Sequence, residues 1–300
     1  METIDWIVLI FSIGFIVLYG IWKNRKNKNL EDYFKGDNKS RWWTIGISVM
    51  ATQASAITFL STPGQAYSDG MGFIQFYFGL PFAIIIISKF FLPIYHKLKV
   101  FTAYEFLEKR FNKKTRNLAS FLFLVQRGLA AGITIYAPAI IMSLILKWPL
   151  YLLIIIIGSL VTFYTLIGGT KAVNVTQKQQ MFVIFIGLFI SIYYIFKGIP
   201  EEFSLKQVIE IAGANEKLNI LSFDLDFKSR YTFWSGITGG LFLALSYFGT
   251  DQSQVQRYIS GKSIKEIRLG LVFNGIFKIP MQFFILLLGV MVFVFFEFNK

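Results

Sequence analysis

Eight stretches of this sequence are each long and apolar enough to cross a bilayer, and no other feature restricts the fold as much. A hydrocarbon core about 30 Å thick needs roughly 20 apolar residues in helix. The stretches are 4–22, 43–67, 71–95, 118–146, 149–168, 180–198, 232–250 and 270–297. In lipid the backbone must satisfy its own polar groups, so these read as helices. The alternation of a membrane barrel strand is absent. Composition agrees: 55% of residues are hydrophobic and 16% charged, against about 25% charged in a typical soluble domain. The expectation is an all-α, polytopic transmembrane helix bundle. The first span carries Glu2 and Asp5 and no basic residue at its start, so it reads as a retained helix rather than a signal peptide.

The formal charge of +13 invites a nucleic-acid reading, but its distribution argues against one. Segments 23–41, 97–116, 171–178 and 257–268 hold 20 of the 30 Lys and Arg residues. These are alternate loops. The long 197–231 loop of the other set offsets five basic residues with Glu201, Glu202, Glu210, Glu216, Asp224 and Asp226. Basic loops stay cytoplasmic, so the N-terminus is expected outside the cell (inner) membrane, with the lipid bilayer as partner and no nucleic acid. The chain has no cysteine and one histidine, His96. Thiolate metal sites are excluded and a histidine-based triad is disfavoured. Paired acids at membrane depth, the signature of an intramembrane enzyme, are missing from the pattern: Asp69, Asp251 and Glu297 fall at helix ends.

Two spans stand apart from bulk Ile, Phe and Leu. The second runs Ile47 to Tyr67 through small and hydroxylated residues, with Pro63-Gly64 two-thirds of the way along. The seventh holds Gly236, Gly239, Gly240 and Gly249 with Ser235, Thr238, Ser246, Tyr247 and Thr250, then the polar run Asp251 to Tyr258. They lie five helices apart, so they cross in opposite senses. Gly/Pro-interrupted helices in matching positions of two inverted halves point to a transporter's binding site. Tight internal packing without a ligand is the other reading. Lys89, Arg127 and Lys278 sit inside spans, toward the cytoplasmic side. Either they snorkel to the interface, or one pairs with Asp251 and latches an inner gate.

Four motifs carry a family resemblance: Asp32-Tyr33-Phe34 with Trp42-Trp43 and Gly46; Tyr104 to Phe111; Tyr164 to Gly169 with Lys171-Ala172-Val173, Thr176 and Gln180; and Asp251-Gln252 with Val255 to Tyr258. In that order and on those loops the chain resembles the sodium/solute symporter family over nearly its whole length. The resemblance implies a LeuT-like inverted repeat: residues 1–42 as an extra N-terminal helix and cytoplasmic loop, 43–198 as the first five-helix repeat, 199–231 as an extracytoplasmic loop, and 232–300 as the start of a second, incomplete repeat. It implies an N-terminal portion of a longer transporter, unable to transport by itself.

The same resemblance implies co-transported Na⁺ bound by backbone carbonyls of Ala51 and Ala54, with further ligands beyond Lys300. Tyr247 matches an aromatic inner gate and Lys278 a lysine of the sugar carriers. Departures accompany these matches. Tyr77 and Ala244 stand where sugar carriers have a glutamate and an asparagine, and Gln177 where many members have an aspartate. Losing groups that pair with substrate hydroxyls argues against a hexose, and the Ser55-Ala56-Ile57-Thr58 to Thr62-Pro63 pattern resembles the vitamin, iodide and monocarboxylate branch of the family, which implies an organic anion. The candidate substrate residues are Gln53, Thr58, Gln75, Tyr77 and Tyr247; the candidate gate residues are Arg127, Asp251 and Lys278. The expected function is sodium-coupled import of a small solute by alternating access, with no enzymatic activity. A membrane sensor or regulatory protein on a transporter scaffold is the alternative.

Overall fold

The structure is a computed structural model that describes residues 3–24, 40–98, 102–200, 202–226, 228–259 and 261–299. Asp32-Tyr33-Phe34 and most of the first basic loop lie outside the described residues, as does Lys99 in the second.

Helix α1 (Thr3–Asn24) is the first span. The second expected span is two helices, α2 (Trp42–Gln53) and α3 (Ala56–Asp69), bent by 60°. Span α4 (Met71–Leu98) begins as 3₁₀-helix and carries a π-helical turn over Ile87–Phe91. A short α5 (Glu105–Arg110) leads into α6 (Lys113–Leu146). Next come α7 (Leu150–Lys197), α8 (Leu205–Ala214) in the loop, α9 (Phe233–Gly249), α10 (Gln252–Ile259) and α11 (Ile264–Phe298). Among the described residues, five stretches are long and apolar enough to cross a membrane, or six with the bent pair. The first and seventh expected spans are also helices; α9 has only 17 residues.

Three expectations need correction. The loop expected at 171–178 is helical, so the fifth and sixth spans are two apolar stretches, Leu150–Ile167 and Thr176–Lys197, of one continuous α7. No proline interrupts that sequence, and polar side chains alone do not end a helix.

The break in the second span is not at Pro63-Gly64; Pro63 lies inside α3. The chain leaves helix at Ala54 (φ −89°, ψ 70°). Local hydrogen bonds hold the interruption open. The Ser55 hydroxyl accepts from the Thr58 N–H at 3.4 Å, and the Thr58 hydroxyl donates to the Gln53 carbonyl at 3.0 Å. Side-chain oxygens thus occupy groups that a continuous helix would have paired internally.

The glycines of α9 do not interrupt it. A Cβ at Gly236 would collide with the Gln75 carbonyl, and one at Gly240 with the Phe76 carbonyl. Four residues apart, the pair lets the backbones of α9 and α4 touch, as small residues do between membrane helices. The interruption comes after Gly249. There the Tyr95 hydroxyl donates to the Gly249 carbonyl at 2.6 Å, and the Tyr258 hydroxyl donates to the Phe248 carbonyl. Two buried tyrosines therefore satisfy carbonyls at the end of α9.

Helix α11 is the spine of the bundle. It buries Leu271, Asn274, Lys278, Met281, Gln282 and Ile285, and packs against α2, α3 and α4. At Gly289 a Cβ would strike the Pro63 carbonyl, so α3 and α11 meet backbone to backbone. By contrast α6 and the outer faces of α1 and α7 expose Leu, Ile and Phe, as lipid-facing helices do.

Candidate functional site

Helix α2 stops at Gln53 because the chain unwinds there, which sets the Gln53 side chain beside α9 and α4. The three elements enclose a cavity of about 290 Å³ whose wall includes Gln53, Phe76, Tyr77, Leu80, Ala244 and Tyr247. The Gln53 amide donates to the Asn274 side-chain oxygen at 2.8 Å and to the Val49 carbonyl at 3.2 Å. Tyr77 and Tyr247 are two aromatic rings in a lining that is largely apolar.

Each tyrosine is backed by a cation. The Arg127 guanidinium lies 5.6 Å from the Tyr247 ring centroid and is ion-paired with Asp251. Asp251 is 8% exposed and also accepts from the Ser253 N–H at 2.9 Å and hydroxyl at 2.6 Å. Of the three intramembrane cations considered for Asp251, the structure pairs Arg127. Next to this pair, Gln252 accepts from the Ala103 N–H at 2.8 Å. Burial, reinforced by Asp251, holds the neighbouring Tyr104 phenol above its ordinary range, so it stays neutral.

Lys278 does not snorkel. It is 1% exposed, and its ammonium sits 5.5 Å from the Tyr77 ring centroid, on the far side of a residue that lines the cavity. Lys89, in contrast, is exposed.

Two expected substrate residues are spent elsewhere. Gln75 is 1% exposed and lies off the cavity wall. Its amide donates to the Tyr231 carbonyl at 3.2 Å and accepts from the Ser222 N–H at 3.0 Å, tying the loop between α8 and α9 to α4. Thr58 maintains the break, as described above. Ala51 and Ala54 flank the break, and the Ala51 carbonyl accepts from the Ala54 N–H at 3.0 Å.

Gln177 bridges α7 to the first half-helix. It accepts from Ser48 at 2.7 Å and donates to Thr52 at 3.1 Å. The sequence reading missed Asn274 and Gln282, both fully buried on α11. Their spacing from Lys278, four residues either way on one apolar helix, was the available signal.

A helix broken in mid-span beside a cavity, inside an all-α bundle, defines a multi-pass membrane protein of secondary-transporter architecture. The sequence matches the Sodium:solute symporter family over residues 33–299, and the chain belongs to that family. It is 35% identical over 267 residues to the Sodium-coupled monocarboxylate transporter 2 of Bos taurus, covering 89% of this chain and 43% of that one. It is 31% identical over 275 residues to the Sodium/iodide cotransporter of Homo sapiens, covering 91% and 42%. These relatives are transporters, not enzymes. A solved substrate-bound, outward-open Na⁺-coupled sialic acid symporter superposes with a TM-score of 0.92 at 27% identity, over 99% of this chain and 63% of that one. The bundle is LeuT-like. The chain thus spans less than half the length of these two curated relatives.

Proposed function

We propose that the complete protein carrying this sequence is a sodium-driven symporter that imports a small solute by alternating access. The observation that carries this reading is the 60° break at Ala54–Ser55, directly beside a cavity shared by α2, α4 and α9. Na⁺ is cargo, held in part by the carbonyls of Ala51 and Ala54. Na⁺ is a hard cation that takes oxygen ligands, and unwound carbonyls supply them without burying an anion. The Ala51 carbonyl keeps a second lone pair beyond its bond to Ala54. Sodium drives transport by binding one access state more tightly than the other.

The solute occupies the cavity against Gln53, Tyr77 and Tyr247. An organic anion fits better than a hexose: the wall offers few groups to pair with a ring of hydroxyls, and the substrates named for the relatives (monocarboxylate, iodide, sialic acid) are anions. Arg127 and Asp251 form the inner latch beneath Tyr247. The basic-loop bias supports a cell (inner) membrane location with an extracytoplasmic N-terminus. The test is uptake with Na⁺ replaced by choline. A drop of about tenfold or more is expected; undiminished uptake rejects sodium coupling.

A further inference from the structure

A second cavity, of about 300 Å³, shares no lining residue with the one beside the α2 break. Its wall is built by Phe90, Phe91 and Ile94 of α4, Leu107 of α5 with the preceding Tyr104, and Thr250 at the end of α9. Phe90 and Phe91 belong to the π-helical turn of α4, a distortion that helices carry frequently at functional sites. The hydroxyls in this wall are engaged elsewhere. Tyr95, which also lines it, donates to the Gly249 carbonyl, and Thr250 donates to the Ser246 carbonyl at 2.9 Å. What the wall offers a guest is hydrocarbon and ring surface. A cavity of that character takes apolar guests rather than ordered water.

The mouth opens on an outward face. Phe90 and Ile94 are 56% and 39% exposed, and they continue an exposed stripe of α4 through Phe82 and Ile85. Cations gather at this edge. The Lys89 ammonium lies 5.6 Å from the Phe90 ring centroid, and Lys89 is exposed although it sits inside the span. A charge held there is costly unless an anion meets it. Lys97 is exposed one turn past Ile94. Lys109, also exposed, donates to the Leu98 carbonyl at 2.9 Å, which brings it to the end of α4. The two acids of α5 are engaged: Glu108 is ion-paired with Arg116, and Glu105 accepts from the Thr102 N–H at 3.2 Å. An apolar slot with a cationic rim matches a guest with a hydrocarbon tail and an anionic head.

We propose that this cavity is a site for an anionic phospholipid of the cytoplasmic leaflet, with one acyl chain in the slot and the headgroup drawn to Lys89, Lys97 and Lys109. The site rests on the membrane fold and not on sodium coupling; the leaflet follows from the basic-loop bias. The acyl chain touches α4, α5 and the end of α9 at once, beside the Arg127–Asp251 pair. The lipid therefore stabilises the arrangement in which these three elements meet.

The experiment uses the complete protein in nanodiscs of phosphatidylcholine with a minor share of phosphatidylglycerol. A benzophenone amino acid replaces Ile94 at the mouth or, as a control on the same helix, Ile85. After illumination the lipid class of each adduct is read by mass spectrometry. At Ile94, phosphatidylglycerol is expected above its share of the bilayer by about fivefold or more, since one basic residue is worth about that factor. At Ile85 the adducts should follow the bilayer composition. The double variant Lys89→Gln, Lys97→Gln should return the Ile94 adducts to that composition. Phosphatidylglycerol should also raise the melting temperature of the parent protein, and Leu107→Trp, which fills the slot, should abolish the gain. If Leu107→Trp does not fold, the crosslinks decide. Adducts at Ile94 that follow the bilayer composition, adducts to protein instead of lipid, or enrichment that survives loss of both lysines overturns the proposal.

Discussion

Arg127 on α6 and Asp251 at the end of α9 are ion-paired, and the same guanidinium faces the Tyr247 ring that lines the cavity. The cavity and the ion pair therefore meet at one residue, Tyr247. Asp251 is buried while Arg127 is 30% exposed in its side chain, so the pair is neither a surface bridge of negligible worth nor a fully desolvated one. Removing one partner is expected to cost about 1–3 kcal/mol, between the exposed and buried limits. Arg127→Glu and Asp251→Arg should each reduce uptake about tenfold, and the double reversal should recover most of it. Loss of uptake in all three, with normally folded protein, contradicts a pairing role.

The α4–α9 seam makes a prediction about glycines that look alike in sequence. Gly236→Ala puts a methyl into the Gln75 carbonyl, while Gly239→Ala meets nothing within 4 Å. The first should lose about 1–3 kcal/mol through overpacking, and the second should sit within about 0.5 kcal/mol of the parent. Thermal unfolding of the two variants side by side checks the order; equal stabilities contradict the packing.

The break in the second span should depend on Thr58 and not on Pro63. Thr58→Val removes the hydroxyl that donates to the Gln53 carbonyl, a loss of about 1 kcal/mol, and should raise the Na⁺ concentration for half-maximal uptake roughly fivefold. Pro63→Ala leaves the Ser55 and Thr58 contacts intact and should shift it less than twofold. The reverse order would return the hinge to the Pro-Gly pair.

Gln75 supports the loop between α8 and α9, so Gln75→Leu should act on stability and not on solute affinity. It strands the part-buried Ser222 N–H and Tyr231 carbonyl, at up to about 1 kcal/mol for each group left without another partner. Expression and melting temperature should fall while the KM of the surviving protein stays within about twofold. A large KM change with unchanged stability would restore Gln75 to the substrate site.

The positions of the helices were legible because a bilayer needs long apolar runs, and those runs mark themselves. What goes on between helices was not. A glycine such as Gly240 looks the same in sequence whether it opens its own helix or receives a neighbour's backbone; only the Phe76 carbonyl against it decides. Pro63 outweighed Ser55 and Thr58 in the reading, yet α3 runs on through Pro63 while the two hydroxyls bond at the break itself. Arg127, Lys89 and Lys278 were equal candidates for Asp251, since depth along a span does not tell which face a side chain occupies. Gln53, Tyr77 and Tyr247 do meet at one cavity; Gln75 and Thr58, chosen for polarity in the same region, are consumed by the backbone.

The most direct measurement is accumulation of a small organic anion in proteoliposomes of the complete protein under an imposed inward Na⁺ gradient. The account predicts uptake above the external concentration, abolished when the gradient is collapsed by a sodium ionophore. Equilibration to the external concentration at the same rate with and without the gradient would contradict it.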